Sequence, residues 1–386
     1  MTAQSDTATT EPPKRVLIIL LGAIGDVVRA LPLLGRLRRA WPHAHMAWAV
    51  EPKSKPLLER HSWLDQLIVY DRRKAPWAFI PFLREVRAGR FDLVVDLQRH
   101  LKSGVVAKAS GASERLGFAA PNTKEFNHLF STLRIAPQPN LRLKLMQYQA
   151  FADLIGAPPA PVEFGLELPA DEKRRAVQLL EGAPRPLAGV ILGSSWPSRI
   201  YFPEAVAAVA RDLARPAPDG PALFPVLLGG ADETGLATEV MRHLDPAAAL
   251  NLAGRTGLRD LFAIFAECAV AFGPDSGPMH IAAAVGCPIV SLWGSTSPRR
   301  SAPWGYADLA IHSDIPCHPC YLRQCPIGRE CMRRIAPQEV VAMVRRTLAA
   351  RRRAEVDSAS GAVTPRTAAT IDRITNAIFV VGGERR

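Results

Sequence analysis

Two successive Rossmann-like α/β domains are the architecture this 386-residue sequence predicts, and three observations predict it. Short, continuous apolar runs alternate with amphipathic stretches, the pattern of parallel strands covered on both faces by helices. The alternation breaks in proline-rich sequence between residues 158 and 186 and then restarts. Asp26 follows the first apolar run, and strand ends in the second half carry candidate ligand groups in Gly193-Ser-Ser-Trp-Pro-Ser-Arg199, Gly229-Gly-Ala-Asp-Glu233 and Gly273-Pro-Asp-Ser-Gly-Pro-Met-His280, where open α/β sheets gather their ligands. The chain is also too long for one ordinary core and suits two domains. Two such halves are expected to face one another across a central cleft.

The elements follow in order. Residues 16–21 form the first strand, and Gly22 and Gly25 allow a tight turn into a helix that Pro42 stops. Further strands are read at 46–50, 66–70 and 91–98, with a helix at 81–89. Pro158-Pro-Ala-Pro161 and Gly182-Ala-Pro-Arg-Pro186 form loops around a helix at 171–181, which puts the linker there. Strands at 187–192, 224–228, 269–272 and 289–293 then alternate with helices at 204–213, 233–243 and 258–267. The expected organisation is a disordered lead-in at 1–14, an N-terminal domain at 15–170, a linker region at 171–186, a C-terminal domain at 187–335, a helix at 336–354 and a tail at 355–386.

Asp26 is the most informative residue. A lone carboxylate at the carboxyl end of a buried strand reads as a catalytic base, against the plainer reading that it caps the next helix. The second half supplies groups suited to a nucleotide diphosphate. Gly193-Ser-Ser-Trp-Pro-Ser-Arg199 offers the Ser194 and Ser195 hydroxyls and the Arg199 guanidinium. Gly229-Gly-Ala-Asp-Glu233 opens a helix, and Gly273-Pro-Asp-Ser-Gly-Pro-Met-His280 joins Asp275, Ser276 and Gly277 to a helix N-terminus, with His280 about one turn inside.

Composition narrows the class. Hydrophobic residues make up 48% and charged residues 22%, and the mean hydropathy of +0.03 is that of a globular chain. No apolar run reaches the ~18 residues needed to cross a bilayer. The apolar run from Val16 is interrupted by Asp26 and Arg29 without a small-residue cleavage pattern, so the expected location is cytoplasmic. Forty-eight Lys and Arg against 36 Asp and Glu leave a net charge of +12, which suits a phosphorylated substrate or an anionic membrane surface. No nucleic-acid-binding motif accompanies it. Part of the excess sits in Arg345-Arg346 and Arg351-Arg-Arg353, where a solvated helix end accounts for it.

The chain resembles glycosyltransferase family 9, the lipopolysaccharide heptosyltransferases, over roughly residues 15–345. The resemblance rests on Leu21-Gly-Ala-Ile-Gly-Asp-Val-Val-Arg-Ala-Leu-Pro32, Asp96-Leu-Gln98, Asn251-Leu-Ala-Gly-Arg-Thr-Gly-Leu258 and Asp275-Ser-Gly-Pro-Met-His280. It implies a GT-B fold, an ADP-heptose donor held mainly by the C-terminal half, a lipid A-core acceptor held mainly by the N-terminal half, and inversion without a catalytic metal or other cofactor. Asp26 matches the family's general base. Asp275, Ser276, Gly277 and His280 match its donor loop, and Glu233 matches a nucleotide-contacting acid. Where the family carries a lysine shortly before a Trp-Pro pair, this chain reads Ser198-Arg-Ile-Tyr-Phe-Pro203, with Arg199 the nearest cation. Lys53, Lys55, Arg72, Arg73, Lys74 and Lys102 are candidate grips for the acceptor's acids and phosphates, with peripheral contact at the anionic inner membrane.

Four of the six cysteines cluster as Cys317, Cys320, Cys325 and Cys331. The step from Cys317 to Cys320 suits a chelate and four thiolates suit a structural zinc, with unliganded thiols as the equal alternative in a reducing compartment and disulfides third. Two other classes stay open at this point. A nicotinamide-dependent oxidoreductase shares the alternation, but Gly22-Ala-Ile-Gly25 lacks the full dinucleotide fingerprint. A non-catalytic nucleotide-sugar-binding protein needs the C-terminal loops and not Asp26.

Overall fold

The computed structural model describes residues 11–218 and 220–359. Most of the expected lead-in and the tail beyond 359 lie outside the described residues. The chain groups into two compact units, one comprising the chain to Lys173 with Arg299–Ser301, the other Arg174–Pro298 and the chain from Ala302.

The first unit contains β1 (Arg15–Ile19), α1 (Ile24–Ala40), β2 (His45–Val50), β3 (Gln66–Val69), α2 (Phe79–Ala88), β4 (Leu93–Asp96), α3 (Leu101–Ala109), β5 (Glu114–Gly117), β6 (Leu133–Arg134) and α4 (Lys144–Leu154). Its strands are parallel in the order β3-β2-β1-β4-β5-β6. The order reverses between β1 and β4, and a doubly wound sheet binds ligands at that switch point, beyond the strands' carboxyl ends. Val16, Leu17, Ile18 and Ile19 are fully buried, as a central strand covered on both faces requires. The helix after β1 begins at Ile24, so Pro32 lies inside it. Its buried Val27, Val28, Leu31 and Leu34 hold the helix in place although proline removes a backbone donor there.

The helix α5 (Ala170–Leu179) spans the division between units. The second unit then contains β7 (Leu187–Ile191), α6 (Pro203–Leu213), β8 (Phe224–Leu228), α7 (Thr234–Arg242), β9 (Leu250–Asn251), α8 (Leu258–Glu267), β10 (Cys268–Pro274), α9 (Gly277–Ala284), β11 (Ile289–Trp293), α10 (Pro298–Ser301, mostly grouped with the first unit), β12 (Ala310–His312), α11 (Glu330–Arg333) and α12 (Pro337–Ala359). The order β12-β11-β10-β7-β8-β9 repeats the topology of the first sheet. Val190, Leu227, Phe272 and Leu292 form a core with Val206 and Val209 of α6 and Val340, Val344 and Leu348 of α12. The expected two-domain α/β class therefore holds. Among the described residues no helix is long and apolar enough to cross a membrane.

Candidate active site

Asp26 lies in the first turn of α1. The N-cap is Ala23 and no side chain caps the helix, so capping does not account for the carboxylate. Its partners are cations. Arg29 Nη2 donates to Oδ1 at 2.5 Å from one turn along the same helix, and Lys144 Nζ of α4 donates to the same oxygen at 2.6 Å. The side chain is 19% exposed. Burial works to raise its pKa, but the charges and hydrogen bonds of Lys144 and Arg29 outweigh that and hold the carboxyl well below the usual carboxylate range. Burial in turn pushes the Lys144 amine down to about 8, against the pull of Asp26.

The Asp96-Leu-Gln98 motif buttresses this turn. Asp96 is buried at the end of β4, where it accepts hydrogen bonds from Ser103 Oγ, Asn127 Nδ2 and the Gln98 amide. Burial raises its pKa in spite of those bonds. Gln98 Oε1 accepts from the Leu21 amide at 2.8 Å, tying the carboxyl ends of β4 and β1 together at the switch point. The motif is structural support for the Asp26 turn.

The candidate acceptor cations stand along the same carboxyl edge. Lys53 follows β2, Arg72, Arg73 and Lys74 follow β3, and Lys102 lies in the first turn of α3 after β4. Arg72 approaches Glu51 at 3.5 Å and Arg73 approaches Asp71 at 3.2 Å, but their side chains are 70% and 84% exposed. The Lys102 ammonium sits over the Tyr70 ring at 5.1 Å. The exposed apolar residues Trp77, Ile80, Phe126 and Leu129 belong to segments that follow β3 and β5 on this edge.

The second sheet gathers the candidate donor groups at its own switch point, between β7 and β10. Ser194 Oγ donates to the Asp275 carbonyl at 2.7 Å. The Asp275 carboxylate accepts from Thr296 Oγ1 at 2.6 Å and pairs with Arg199 at 3.1 Å, and the Arg199 guanidinium stacks 4.0 Å from the Trp196 ring centroid. Arg199 is thus seated in the site through a short 3₁₀ turn, Pro197–Arg199. Ser276 is the N-cap of α9, and its hydroxyl is buried with no partner among the described residues. Gly277 is the first residue of that helix, and His280 is buried within it. Glu233 accepts from the Gly230 amide and packs over Gly193, where a Cβ would collide with its carboxylate. Ser195 is exposed beside these groups, with Trp196 following.

Sequence reasoning missed three contributors. Arg29 interrupts an apolar run and lies within the Leu21–Pro32 motif, but neither signal gives it a role, and Lys144 carries no local signal. Thr296 had one, because Gly294-Ser-Thr-Ser297 follows β11 at a strand's carboxyl end as the other donor loops do.

Cys317, Cys320, Cys325 and Cys331 line one small cavity together with His318 and Glu330, all four as free thiols. Burial raises the pKa of Cys331. Among the described residues, no three His, Cys, Asp or Glu side chains are already arranged to hold a metal ion.

The model of glycosyltransferase family 9 (heptosyltransferase) matches residues 80–330. The chain is 27% identical over 302 residues to a lipopolysaccharide core heptosyltransferase of Haemophilus influenzae, covering 78% of this chain and 85% of that one. It is 26% identical over 326 residues to lipopolysaccharide heptosyltransferase 1 of Pseudomonas aeruginosa, covering 81% and 87%. The solved structure of the Escherichia coli ADP-heptose lipopolysaccharide heptosyltransferase II superposes with a TM-score of 0.70 at 22% identity, over 88% of this chain and 99% of that one. The two repeated α/β sheets are those of the GT-B class.

Proposed function

The chain belongs to glycosyltransferase family 9, and on that premise we propose that it moves a heptose from ADP-heptose to a lipopolysaccharide core acceptor by one inverting displacement, with Asp26 as general base and no catalytic metal. Membership in this family removes the nicotinamide oxidoreductase reading. The donor and acceptor classes rest on the E. coli relative, named for ADP-heptose, and on the H. influenzae relative, named for the lipopolysaccharide core.

The observation that carries the mechanism is the Asp26 carboxylate at the switch point of the first sheet, gripped on one oxygen by Lys144 and Arg29. A sugar hydroxyl is a poor nucleophile and ADP departs as an anion, so the reaction needs a base for the acceptor and positive groups for the leaving group. Asp26 supplies the first. The Arg199 guanidinium and the amides at the start of α9 supply the second, with the Ser276 hydroxyl as a donor and Ser194 bracing the loop through the Asp275 carbonyl. In this reading these groups meet the departing diphosphate, and no step is routed through a metal ion. A single carboxylate suffices for direct displacement, so no glycosyl-enzyme forms. Glu233 and His280 complete the donor site, with Ser195 and Gly277. Incubation with ADP-heptose and a panel of truncated lipopolysaccharides, read by mass spectrometry, tests the reading. Addition of one heptose to a core acceptor supports it, and an absence of product across the panel removes it.

Lys53, Arg72, Arg73, Lys74 and Lys102 form the acceptor grip, with Trp77 and Ile80 beside it as contacts to an anionic membrane surface. Neutralising Arg72, Arg73 and Lys74 together is expected to raise the acceptor KM, most steeply at low salt because exposed charges are screened beyond ~10 Å at 0.1 M ionic strength. The donor KM should stay put, and equal changes in both would contradict the assignment. Adding Trp77→Ser to that variant should abolish co-sedimentation with phosphatidylglycerol vesicles. Retained sedimentation would remove the membrane contact.

The four clustered thiols have the donor chemistry of a structural zinc site, placed in the second unit and outside the reaction. Elemental analysis of protein purified under reducing conditions is expected to find about one zinc per chain, the stoichiometry of a tetrathiolate site. A metal-free result would leave four free thiols.

A further inference from the structure

We propose that Lys144 is a positioning residue for the transfer. With Arg29 it pins Oδ1 of Asp26, leaving Oδ2 as the atom that accepts the proton. The proposal rests on the reading of Asp26 as general base and names the residue that directs it.

The bonding is one-sided. Both the Lys144 bond of 2.6 Å and the Arg29 bond of 2.5 Å end on Oδ1, and no donor among the described residues reaches Oδ2. Two donors on one oxygen fix rotation about Cβ–Cγ and leave the other oxygen's lone pairs for a ligand. A base must lie within hydrogen-bond reach of its proton in the right alignment, and a misplacement of ~1 Å costs about 10²-fold in rate.

A purely structural ion pair would not need Lys144. Arg29, three residues along α1, already neutralises Asp26. Lys144 comes from α4 and reaches Asp26 by the packing of α4 on α1. Its side chain is only 15% exposed, and burying a second cation against one carboxylate is unfavourable. The ammonium stands 5.7 Å from the ring of Tyr148, one turn further along α4, whose hydroxyl is buried without a partner among the described residues. Arg99, after β4, adds a further positive charge near Lys144, and Arg300 adds to the field at Arg99 and Tyr148. The arrangement gives up basicity, since two cations weaken the carboxylate as a proton acceptor, and gains ionisation and direction.

Steady-state kinetics of Lys144→Met and Lys144→Arg with ADP-heptose and the accepted lipopolysaccharide test this. Lys144→Met is expected to lower kcat by roughly 10- to 100-fold through misalignment. Donor and acceptor KM should remain near wild type. Its acidic limb in the pH–rate profile should move to higher pH, because removing a cation raises the Asp26 pKa. Lys144→Arg keeps the charge and should retain most of kcat. If the Met variant does not fold, Lys144→Gln takes its place. An unchanged kcat and acidic limb in the neutral variant would overturn the proposal. So would equal losses in the neutral and Arg variants accompanied by a lowered Tm and raised KM for both substrates, the signature of a folding role. Asp26→Asn assayed in parallel separates the two levels. If Asp26→Asn is inactive and Lys144→Met is fully active, only the role of Lys144 fails, whereas a fully active Asp26→Asn enzyme removes the base itself.

Discussion

Asp26→Asn is expected to lower kcat by ~10²- to 10⁴-fold, the usual contribution of general base catalysis. Affinity for ADP should stay close to that of the wild type. Asparagine keeps the size of the side chain and a carbonyl oxygen for Lys144 and Arg29, but it has no charge and cannot take a hydroxyl proton. The substitution also leaves Lys144 and Arg29 as buried cations without their anion, so a lowered Tm should accompany it. Rates are therefore compared on the folded fraction, with calorimetric ADP titration as the control. Turnover near wild type would contradict the assignment of the base.

Arg199→Met is the second large effect. The guanidinium is held between the Asp275 carboxylate and the Trp196 ring, so it is preset before any diphosphate arrives. Removing a preorganised positive group from a departing anion typically costs about 10²- to 10³-fold in kcat. The donor KM should rise and the acceptor KM should not. Arg199→Lys should recover only part of the loss, because a point charge lacks both the planar fork and the stacking surface. Wild-type rates in Arg199→Met would mean that the departing ADP is neutralised elsewhere. The Pro197–Arg199 turn seats this cation in the site.

The sequence disclosed the central strands well and the peripheral ones poorly, for a physical reason. β1, β7, β8, β10 and β11 are covered on both faces and read as unbroken apolar runs. β5, β6, β9 and β12 are two to four residues long, and most of their side chains are only partly buried, so neither a run nor an alternation can develop. Gly22 and Gly25 marked the turn into α1, which starts at Ile24 and carries Pro32 in its interior. The site divides in the same way. Ser194, Asp275 and Ser276 follow strand ends closely, and Asp26 and Arg199 lie in the first helical turn after a strand, so position along the chain could find them. Lys144 comes from α4, an element the sequence pattern did not reveal, 118 positions from the carboxylate it grips. No local pattern encodes such a partner. The Asp96-Leu-Gln98 motif was recognisable as a string, but its work, tying β4 to β1 beside Asp26, shows only in the hydrogen bonds.

The proposed mechanism is one displacement driven by Asp26, and the anomeric configuration of the transferred sugar tests it most directly. Product formed from ADP-heptose of known anomeric configuration would be isolated and its new glycosidic linkage assigned from the one-bond carbon–proton coupling at the anomeric centre by NMR. Direct attack on the face opposite ADP predicts complete inversion. Retention would require an enzyme nucleophile with a glycosyl-enzyme intermediate, or attack on the face from which ADP departs, and either would contradict the role assigned to Asp26.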